Sequence, residues 1–457
     1  MENKSANKMG TMPIGKLLIS LSVPMMASML VQALYNVVDS IFVARLSENA
    51  LTSVTLAFPM QTLMISLGSG TSVGVNAMLS QSLGEKHYDN ANKAANNGIF
   101  LAIMSYLVFL IIGVFVASPF IRSQATNPEI IDGGITYLQI CCNLSIGVML
   151  QITCERLLQS TGLSIYSMIT QMSGAVCNII LDPILIFGLF GAPRLGIAGA
   201  AYATVFGQIL GASLAIFFNL KKNTDIKISI KDILHPDFGT IKRIYFVGIP
   251  SILMMAIGSV MTYFMNLILS TFETTATAVF GAYFKIQSFF FMPIFGLNNG
   301  LIPIIAYNYG ARNRGRIMEA FKKAVGISFT IMMIGTIVMH LFPAALLSLF
   351  SASTRMLEIG KPALRIISLS FPLASIAIIC GSVFQALSQS YYSLIVSAAR
   401  QLLVLIPVAW LLSRTGQLNL VWASFPIAEL VSIALSLYFM KRVHKLSLMT
   451  LDQDLVR

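Results

Sequence analysis

Apolar residues along this chain are gathered into twelve long stretches that are separated by short polar breaks. A helix that crosses the hydrocarbon core of a membrane needs about 20 consecutive apolar residues. The pattern therefore predicts twelve membrane-spanning helices and an all-α integral membrane protein. The stretches lie at residues 17–43, 52–80, 94–117, 136–154, 168–190, 196–219, 244–271, 278–306, 324–350, 364–384, 398–413 and 418–440.

Composition narrows the class further. The chain has 457 residues, of which 56% are apolar and 11% are charged, and its mean hydropathy is +0.79. Soluble domains carry roughly 25% charged residues, which excludes a soluble enzyme, a disordered protein and a nucleic-acid binder. The spacing of the five cysteines predicts neither a disulfide framework nor a metal site. The four histidines are scattered, so we expect no catalytic constellation and no cofactor.

Basic residues are distributed unevenly among the polar breaks. If both termini lie on one side of the membrane, that side receives 21 of the 30 lysines and arginines, and the other side receives 7. The positive-inside rule then predicts cytoplasmic termini, in the inner membrane of a bacterial cell. Lys4, Lys8 and Lys16 precede the first stretch as in a secretory signal, but that stretch is too long for one, so we expect it to be retained.

The two halves of the chain repeat at a constant offset of 226 residues, which pairs Pro24 with Pro250 and Gly84 with Gly310. Six helices per copy is an even number, so both copies enter the membrane in the same orientation. Two six-helix bundles related by a pseudo-twofold axis are predicted, an architecture that suits alternating access. The expected parts are an N-terminal lobe at 1–219, a cytoplasmic linker at 220–243, a C-terminal lobe at 244–440 and a cytoplasmic tail at 441–457.

Two aspartates inside the apolar stretches are the strongest functional candidates. A charge at the bilayer centre costs about 2.5 to 3.5 kcal/mol or more. Asp39 and Asp182 are therefore expected to have a functional role that offsets this cost. Helical spacing places further polar residues on the same faces, namely Gln32, Tyr35 and Asn36 with Asp39, and Gln171 and Asn178 with Asp182.

If the two faces meet, Asp39, Asp182 and Asn178 offer hard oxygen ligands that suit Na⁺. Burial of the two carboxyl groups would suit a proton instead. The sequence leaves the choice between these ions open. The structural alternative is that both aspartates are exposed at helix ends or only bind neighbouring helices.

The C-terminal half carries Met265 where the first half has its first aspartate. Glu429 is expected to attract a cationic substrate. Met265 and Phe289 are expected to line a pocket that accepts many shapes, since methionine and aromatic surfaces adapt to different ligands. The alternatives are packing within the bundle for Met265 and Phe289, and snorkelling or a local ion pair for Lys285, Arg400 and Glu429.

Three motifs closely resemble those of the multidrug and toxic compound extrusion (MATE) family. They are NVVDSIFVARL at 36–46, NIILDPILIFG at 178–188 and LIPIIAYNYGARN at 301–313. The similarity spans essentially the whole chain and is greatest to DinF-like and Firmicutes multidrug members. It implies the MATE fold and an antiporter, driven by H⁺ or Na⁺, that exports organic and often cationic compounds.

The resemblance also implies roles for individual residues. In similar transporters, the aspartates that match Asp39 and Asp182 bind the coupling ion, and a threonine, here Thr204, joins the ion site. A proline that matches Pro24 is the bending point of the first helix, where a backbone hydrogen bond is missing. Residues of the same lobe that line the site match Gln32, Tyr35, Tyr137 and Asn178.

The expected partners are small organic cations, H⁺ or Na⁺, and the lipid bilayer, and the protein is expected to act as a monomer. A lipid-linked saccharide or lipid flippase of related architecture is the alternative function. Such a flippase would line its cleft with several cations, whereas the apolar stretches here hold mainly Lys285 and Arg400. The sequence therefore favours the exporter.

Overall fold

The structure is a computed structural model that describes residues 7–350, 352–449 and 451, and within these residues it contains helices and no strand. Lys4 and residues 450 and 452–457 of the predicted tail lie outside the described residues. The first half of the chain forms helices α1 (Lys8–Thr11), α2 (Ile14–Ala44), α3 (Glu48–Gly84), α4 (Tyr88–Ile111), α5 (Ala117–Arg122), α6 (Pro128–Asn143), α7 (Ile146–Ser160), α8 (Ser164–Phe187), α9 (Ile197–Lys221) and α10 (Ile230–Leu234).

The second half forms an equivalent series. It comprises α11 (Phe238–Ser270), α12 (Thr274–Gly310), α13 (Arg314–Leu341), α14 (Pro343–Ser348), α15 (Thr354–Ser368), α16 (Phe371–Ala386), α17 (Ser390–Ala398), α18 (Ile406–Ser413), α19 (Leu418–Trp422) and α20 (Ser424–Val443). Short π-helical segments occupy Ile112–Val116, Ala399–Leu405 and His444–Leu448. The π-helical segment at Ala399–Leu405 joins α17 to α18 without a break.

Ten helical segments of the described residues are long and apolar enough to cross a membrane. Two further spans are bent helix pairs, α6 with α7 at 46° and α15 with α16 at 47°. The predicted all-α membrane fold is confirmed, with twelve spans when each pair counts once. Hydropathy did not predict the bends because each lies within one apolar stretch. At the second bend, Pro372 occupies the first turn of α16, where its missing N–H is tolerated.

Helix boundaries and turn conformations repeat at the offset found in the sequence. Helices α3 and α12 both have 37 residues, and α12 starts and ends 226 positions after α3. Lys86 and Arg312, in equivalent turns, have left-handed φ values of 60° and 53°. Gly162 and Ser388, also equivalent, have φ values of 84° and 59°. The duplication therefore includes details of backbone geometry.

Side-chain caps explain where one pair of equivalent helices begins. Before α6, the Asn127 side chain accepts a hydrogen bond from the backbone N–H of Glu129 at 3.0 Å. Before α15, Ser353 Oγ accepts from the backbone N–H of Met356 at 3.2 Å. Asparagine and serine are preferred at this position because they satisfy backbone donors that have no helical partner.

Contacts group the chain into two compact units. The N-terminal unit is Val23–Gly248, and the C-terminal unit joins Met1–Ser22 to Ile249–Arg457. Helix α1 is bound to the C-terminal unit because Asn308 Nδ2 and Arg316 Nη2 both donate to the Met9 carbonyl, at 3.1 and 2.9 Å. Each unit has its own apolar core, which includes Phe109 in the N-terminal unit and Phe280 in the C-terminal unit.

Close packing of α8 on α9 depends on two glycines of the N-terminal unit. A Cβ atom on Gly207 would lie 2.6 Å from the carbonyl oxygen of Gly174 and 3.3 Å from the Cβ of Asn178. A Cβ atom on Gly174 would lie 2.8 Å from the carbonyl oxygen of Gly207. Small residues let membrane helices approach this closely. The contact holds the Asn178 face of α8 against α9.

We expect Gly207→Ala to destabilise the protein, because the added carbon would overlap a backbone carbonyl that cannot move aside. Overpacking of this kind typically costs about 1 to 3 kcal/mol. Gly326→Ala on α13 is the matched control, since no atom lies within 4 Å of a Cβ added there. Thermal unfolding of both variants in detergent measures the difference, and equal midpoints would contradict the proposed role of the glycine contact.

Candidate functional site

The carboxyl groups of Asp39 and Asp182 lie together inside the N-terminal unit. Asp39 is on α2 and Asp182 is on α8, and the two groups are close enough to share a hydrogen bond. Asp182 has no exposed surface, and Asp39 is partly buried. An ionised carboxylate can only accept hydrogen bonds, so a bond between two carboxyl groups requires one proton. This carboxyl pair can therefore take up or release a single positive charge.

Asn178 connects the carboxyl pair to α9. It lies one helical turn before Asp182 and on the same face of α8. In the amide orientation that satisfies both ends of its side chain, Nδ2 donates to Asp182 Oδ2 at 3.2 Å. Its Oδ1 then accepts from the backbone N–H and the hydroxyl of Thr204, at 3.0 and 3.2 Å. Asn178 therefore fixes the position of the Asp182 carboxyl group relative to α9.

Two phenols border the carboxyl pair. Tyr35 lies one turn before Asp39 on α2, and its hydroxyl interacts electrostatically with both carboxyl groups. Tyr137 on α6 is buried, and its hydroxyl accepts a hydrogen bond from Gln61 Nε2 at 3.4 Å. The same Nε2 lies 3.6 Å from Cys141 Sγ. The neighbourhood of the pair is thus polar on the side of α3 and α6 as well.

Gln61 and Cys141 are not among the site residues that the sequence predicts. For Gln61, the available signal was a polar side chain near the centre of the second apolar stretch. For Cys141, it was the spacing of one helical turn from Tyr137. Neither signal alone indicates which helix the side chain contacts, so only the structure connects these residues to the carboxyl pair.

Each carboxyl group of the pair keeps one oxygen without a hydrogen bond. Oδ1 of Asp39 and Oδ1 of Asp182 are enclosed, and neither has a partner within the part of the chain that the structure describes. An unpaired buried polar atom costs about 1 to 3 kcal/mol. The described residues contain no group of three or more His, Cys, Asp or Glu side chains that could hold a metal ion. A cation here would therefore depend on the two carboxyl groups together with Asn178 and Thr204.

The other predicted substrate residues lie in different surroundings. On α2, Gln32 is half-buried and Asn36 is exposed. Phe289 on α12 is 49% exposed. Met265, in contrast, has no exposed surface and belongs to the apolar core of the C-terminal unit. Met265 therefore presents no surface to a substrate in this structure, because its side chain packs within its own bundle.

Gln171 belongs to a second buried network and not to the carboxyl pair. Its Nε2 donates to Glu155 Oε2 at 3.4 Å. Glu155 on α7 is 4% exposed and also accepts from Gln151 Nε2 at 2.9 Å and from Thr170 Oγ1 at 3.1 Å. The sequence pattern ends the fourth apolar stretch at residue 154 and predicts a structural role for Glu155 at a cytoplasmic helix end, whereas α7 continues past this residue to Ser160.

Glu429 has an ion-pair partner within the C-terminal unit. Arg400 Nη1 donates to Glu429 Oε2 at 3.1 Å. Lys285 Nζ lies 5.9 Å from the centre of the Phe350 ring, which is a cation–π distance. The local pairing considered as an alternative for Arg400 is thus present, and it gives Glu429 an internal partner.

The fold and the carboxyl pair together define a class of protein. A buried ionisable site inside a duplicated bundle of membrane helices is typical of secondary transporters. The sequence profile of the family described as MatE matches residues 24–184 and again residues 250–411. The chain belongs to the MatE family, so the predicted membership is confirmed.

Individual relatives match over nearly the whole chain. The multidrug export protein MepA of Staphylococcus haemolyticus (strain JCSC1435) is 27% identical over 427 residues, which are 93% of each chain. A structure described as the outward-facing conformation of a multidrug resistance MATE family transporter of the MOP superfamily matches with a TM-score of 0.91 and 25% identity, over 99% of this chain and 100% of that one. A structure of MATE in the bent conformation matches with a TM-score of 0.88 and 26% identity, over 97% of both chains.

We expect Glu155→Leu to destabilise the protein more than Glu155→Gln. Leucine leaves the donors of Gln151, Thr170 and Gln171 without an acceptor, at about 1 to 3 kcal/mol for each group left unpaired. Glutamine keeps one acceptor oxygen in place. Thermal unfolding in detergent measures both variants, with Glu319→Leu on the exposed face of α13 as the control. A leucine variant as stable as the wild type would show that this network does not hold α7 against α8.

Proposed function

We propose that the protein exports multiple organic, often cationic, compounds by alternating access, in exchange for H⁺ or Na⁺. Asp39 and Asp182 bind the coupling ion, with Asn178, Tyr35 and Thr204 beside them. The observation that carries this proposal is a carboxyl pair in which each group has one enclosed oxygen without a partner among the described residues. The name of the relative MepA, a multidrug export protein, supports the part that concerns drugs.

Exchange follows from competition for negative charge. When the carboxyl pair is ionised, its charge attracts an organic cation in a medium of low dielectric constant. Arrival of one H⁺ or Na⁺ reduces that negative charge by one, which weakens the attraction and releases the drug. A charge that moves inward across about 100 mV gains about 2.3 kcal/mol, which supports a concentration ratio of some tens-fold.

The two coupling ions would use the site differently. A proton completes the hydrogen bond between the two carboxyl groups, because one of them must be protonated to donate. Na⁺ would instead bind the free Oδ1 atoms of Asp39 and Asp182, together with oxygens of Asn178 and Thr204. Both ions leave the interior of the bundle with less negative charge.

Substrate contacts are proposed next to the carboxyl pair. Gln32 and Asn36 lie on the same helix as Asp39, and Tyr137 lies near it on α6. Phe289 is proposed separately as a substrate contact of the C-terminal unit, since 49% of the residue is exposed. A drug bound near the pair would compete directly with the ion.

Bending of α2 at Pro24 is proposed to accompany the exchange. Proline has no N–H, so the carbonyl of Ser20 lacks its helical partner there. Pro24 is the second residue of the N-terminal unit, and Pro250 is the second residue after the C-terminal unit resumes at Ile249. The missing backbone hydrogen bonds of α2 and α11 therefore lie at the two places where the chain passes from one unit to the other. A bent conformation of a solved relative supports such a movement.

The protein is a multipass protein of the cell membrane. The excess of basic residues on one side supports an inner-membrane orientation with both termini in the cytoplasm. We propose that it acts as a monomer without a cofactor. The pairing of Arg400 with Glu429 leaves few free cations for the phosphate of a lipid-linked saccharide, which disfavours the flippase alternative.

Asp182→Asn is expected to reduce ion-driven export to the rate of protein-free vesicles, because an amide cannot bind and release a positive charge as the carboxyl pair does. Efflux of ethidium from proteoliposomes under separately imposed Na⁺ and H⁺ gradients measures this effect and identifies the coupling ion. Asp132→Asn, at an exposed position of α6, makes the same chemical change and should export at the wild-type rate. Wild-type export by Asp182→Asn would refute the coupling role.

A further inference from the structure

A buried carboxyl group that the proposed exchange does not use lies in the N-terminal unit. It belongs to Glu155 on α7, about 8 Å before the last residue of that helix at 1.5 Å per residue. Thr170 and Gln171, near the start of α8, form hydrogen bonds with it. Asp182 lies about 18 Å further along α8 than Thr170 by the same measure. Glu155 is therefore separate from the carboxyl pair.

The Thr170 hydroxyl group faces two acceptors with a single hydrogen. Its Oγ1 lies 3.1 Å from Glu155 Oε1 and 2.7 Å from the backbone carbonyl oxygen of Ser167. Because a hydroxyl group has one O–H donor, an ionised Glu155 leaves one of these two contacts without a hydrogen of its own. A proton on Oε1 supplies the second hydrogen, since the carboxyl group then donates to Thr170 and Thr170 donates to Ser167.

Gln171 also has a group that a proton on Glu155 would satisfy. Its Nε2 lies 3.4 Å from Glu155 Oε2, whereas its Oε1 is enclosed and has no partner within the described part of the chain. A side-chain amide carries both donors and an acceptor. If the amide turned over by half a rotation, it would present Oε1 to a protonated carboxyl group. A single proton can thus be held on either oxygen of Glu155.

Reversible hydrogen-bonding partners distinguish Glu155 from the ion-paired Glu429. Hydroxyl and amide groups can donate to a carboxylate or accept from a carboxylic acid, whereas the guanidinium group of Arg400 can only donate. Arg400 therefore favours the ionised form of Glu429. The hydroxyl and amide partners of Glu155 can serve both of its forms.

The duplicated scaffold does not need this carboxyl group. Positions 226 residues later hold side chains that do not ionise, namely Ala377, Gly381, Val396 and Ser397 in place of Gln151, Glu155, Thr170 and Gln171. The equivalent helices α16 and α17 nevertheless end and begin at the equivalent residues, Ala386 and Ser390. The network is therefore particular to the unit that holds the carboxyl pair.

Hydrogen bonds continue from this network towards the end of α7. Ser167 Oγ accepts from Gln159 Nε2 at 2.8 Å, and Gln159 Oε1 accepts from Arg156 Nη1 at 2.9 Å. Arg156 is half-buried. The turn that follows α7 lies on the side predicted to be cytoplasmic. A polar connection therefore leads from Glu155 towards that side.

Few charged groups surround Glu155. Among the described residues, the titratable groups that act on it electrostatically are its chain neighbours Cys154 and Arg156. The helices packed against this part of α7 contact it through uncharged residues, namely Ser72 of α3, Gly98 of α4, Thr170 and Gln171 of α8, and Gly211 and Asn219 of α9. A proton on Glu155 would thus lower the negative charge of this region by one.

We propose that Glu155 is a proton-binding site of the N-terminal unit, separate from the carboxyl pair and in exchange with the cytoplasm. The proton forms an O–H bond with one carboxyl oxygen, and Thr170 or Gln171 accepts the hydrogen bond. Release of the proton returns a carboxylate that accepts from uncharged donors. As a step of transport, this site rests on the proposed export function, whereas proton binding itself is measured without transport.

Infrared difference spectra between alkaline and acidic buffer measure the protonation of carboxyl groups in the reconstituted protein. The background variant Asp39→Asn with Asp182→Asn removes the carboxyl pair. In this background, acidification should still produce the carbonyl band of an enclosed carboxylic acid, and Glu155→Gln should abolish that band. Glu319→Gln, on the exposed face of α13, makes the same chemical change and should remove only a band of a water-exposed carboxylic acid.

A second variant keeps the carboxyl group and changes its partner. Thr170→Val introduces the residue found at the equivalent position 396, so we expect it to fold. The band should shift, because the carboxylic acid loses the hydroxyl group to which it donates. If Glu155→Gln leaves the band in place, or if Glu155→Gln does not fold and Thr170→Val leaves the spectrum unchanged, the network has only a structural role and the proposal is overturned.

Transport assays separate this site from the export function. In proteoliposomes, the rate of ion-driven ethidium efflux should depend on the pH of the cytoplasmic face, and Glu155→Gln should lose that dependence. An unchanged pH dependence in Glu155→Gln would show that the bound proton takes no part in transport. If the wild type shows the band but exports nothing under an ion gradient, the export function fails and the proton site stands.

Discussion

A charge inside a bundle of membrane helices must be shared, hydrogen-bonded or paired, and this constraint governs the polar chemistry of the protein. Helices satisfy their own backbone groups, so the cost falls on side chains. The Asp182 carboxyl group lies close enough to that of Asp39 to share a hydrogen bond, Glu155 accepts from three uncharged donors, and Glu429 is paired with Arg400. Of these three, the first arrangement combines two carboxyl groups, each with one enclosed oxygen that has no partner among the described residues, which is why the coupling role is proposed for it.

Packing of small residues between α8 and α9 positions one of the two carboxyl groups of the site. Backbone contact between Gly174 and Gly207 lets α8 and α9 approach more closely than any larger residue would permit. That approach brings Asn178 within hydrogen-bonding distance of Thr204, and Asn178 in turn fixes the Asp182 carboxyl group. The chemistry of the site therefore depends on a glycine contact that carries no functional group.

The two halves share a backbone but differ in chemistry. Helix ends, caps and left-handed turn residues recur at one offset, as Lys86 and Arg312 illustrate. The charged side chains of Asp39 and Arg400 do not recur, since the equivalent positions hold the buried Met265 and Gly174. Backbone geometry is fixed by turns and packing that both halves need, whereas one substituted side chain creates or removes a binding group. A duplicated scaffold can thus carry different polar chemistry in its two halves.

The sequence by itself determined the membrane class, the twelve spans, the duplication and the faces that carry Asp39 and Asp182. These features depend on helix length and on a period of 3.6 residues, which are local properties of the chain. Only the tertiary structure decided which faces meet, because spacing along one helix does not specify the neighbouring helix. In the folded protein, Gln61 lies at the edge of the carboxyl pair, Gln171 donates a hydrogen bond to Glu155, and Met265 is enclosed in an apolar core. Those outcomes come from contacts between residues far apart in the chain, where packing and the pairing of buried charges select the partner.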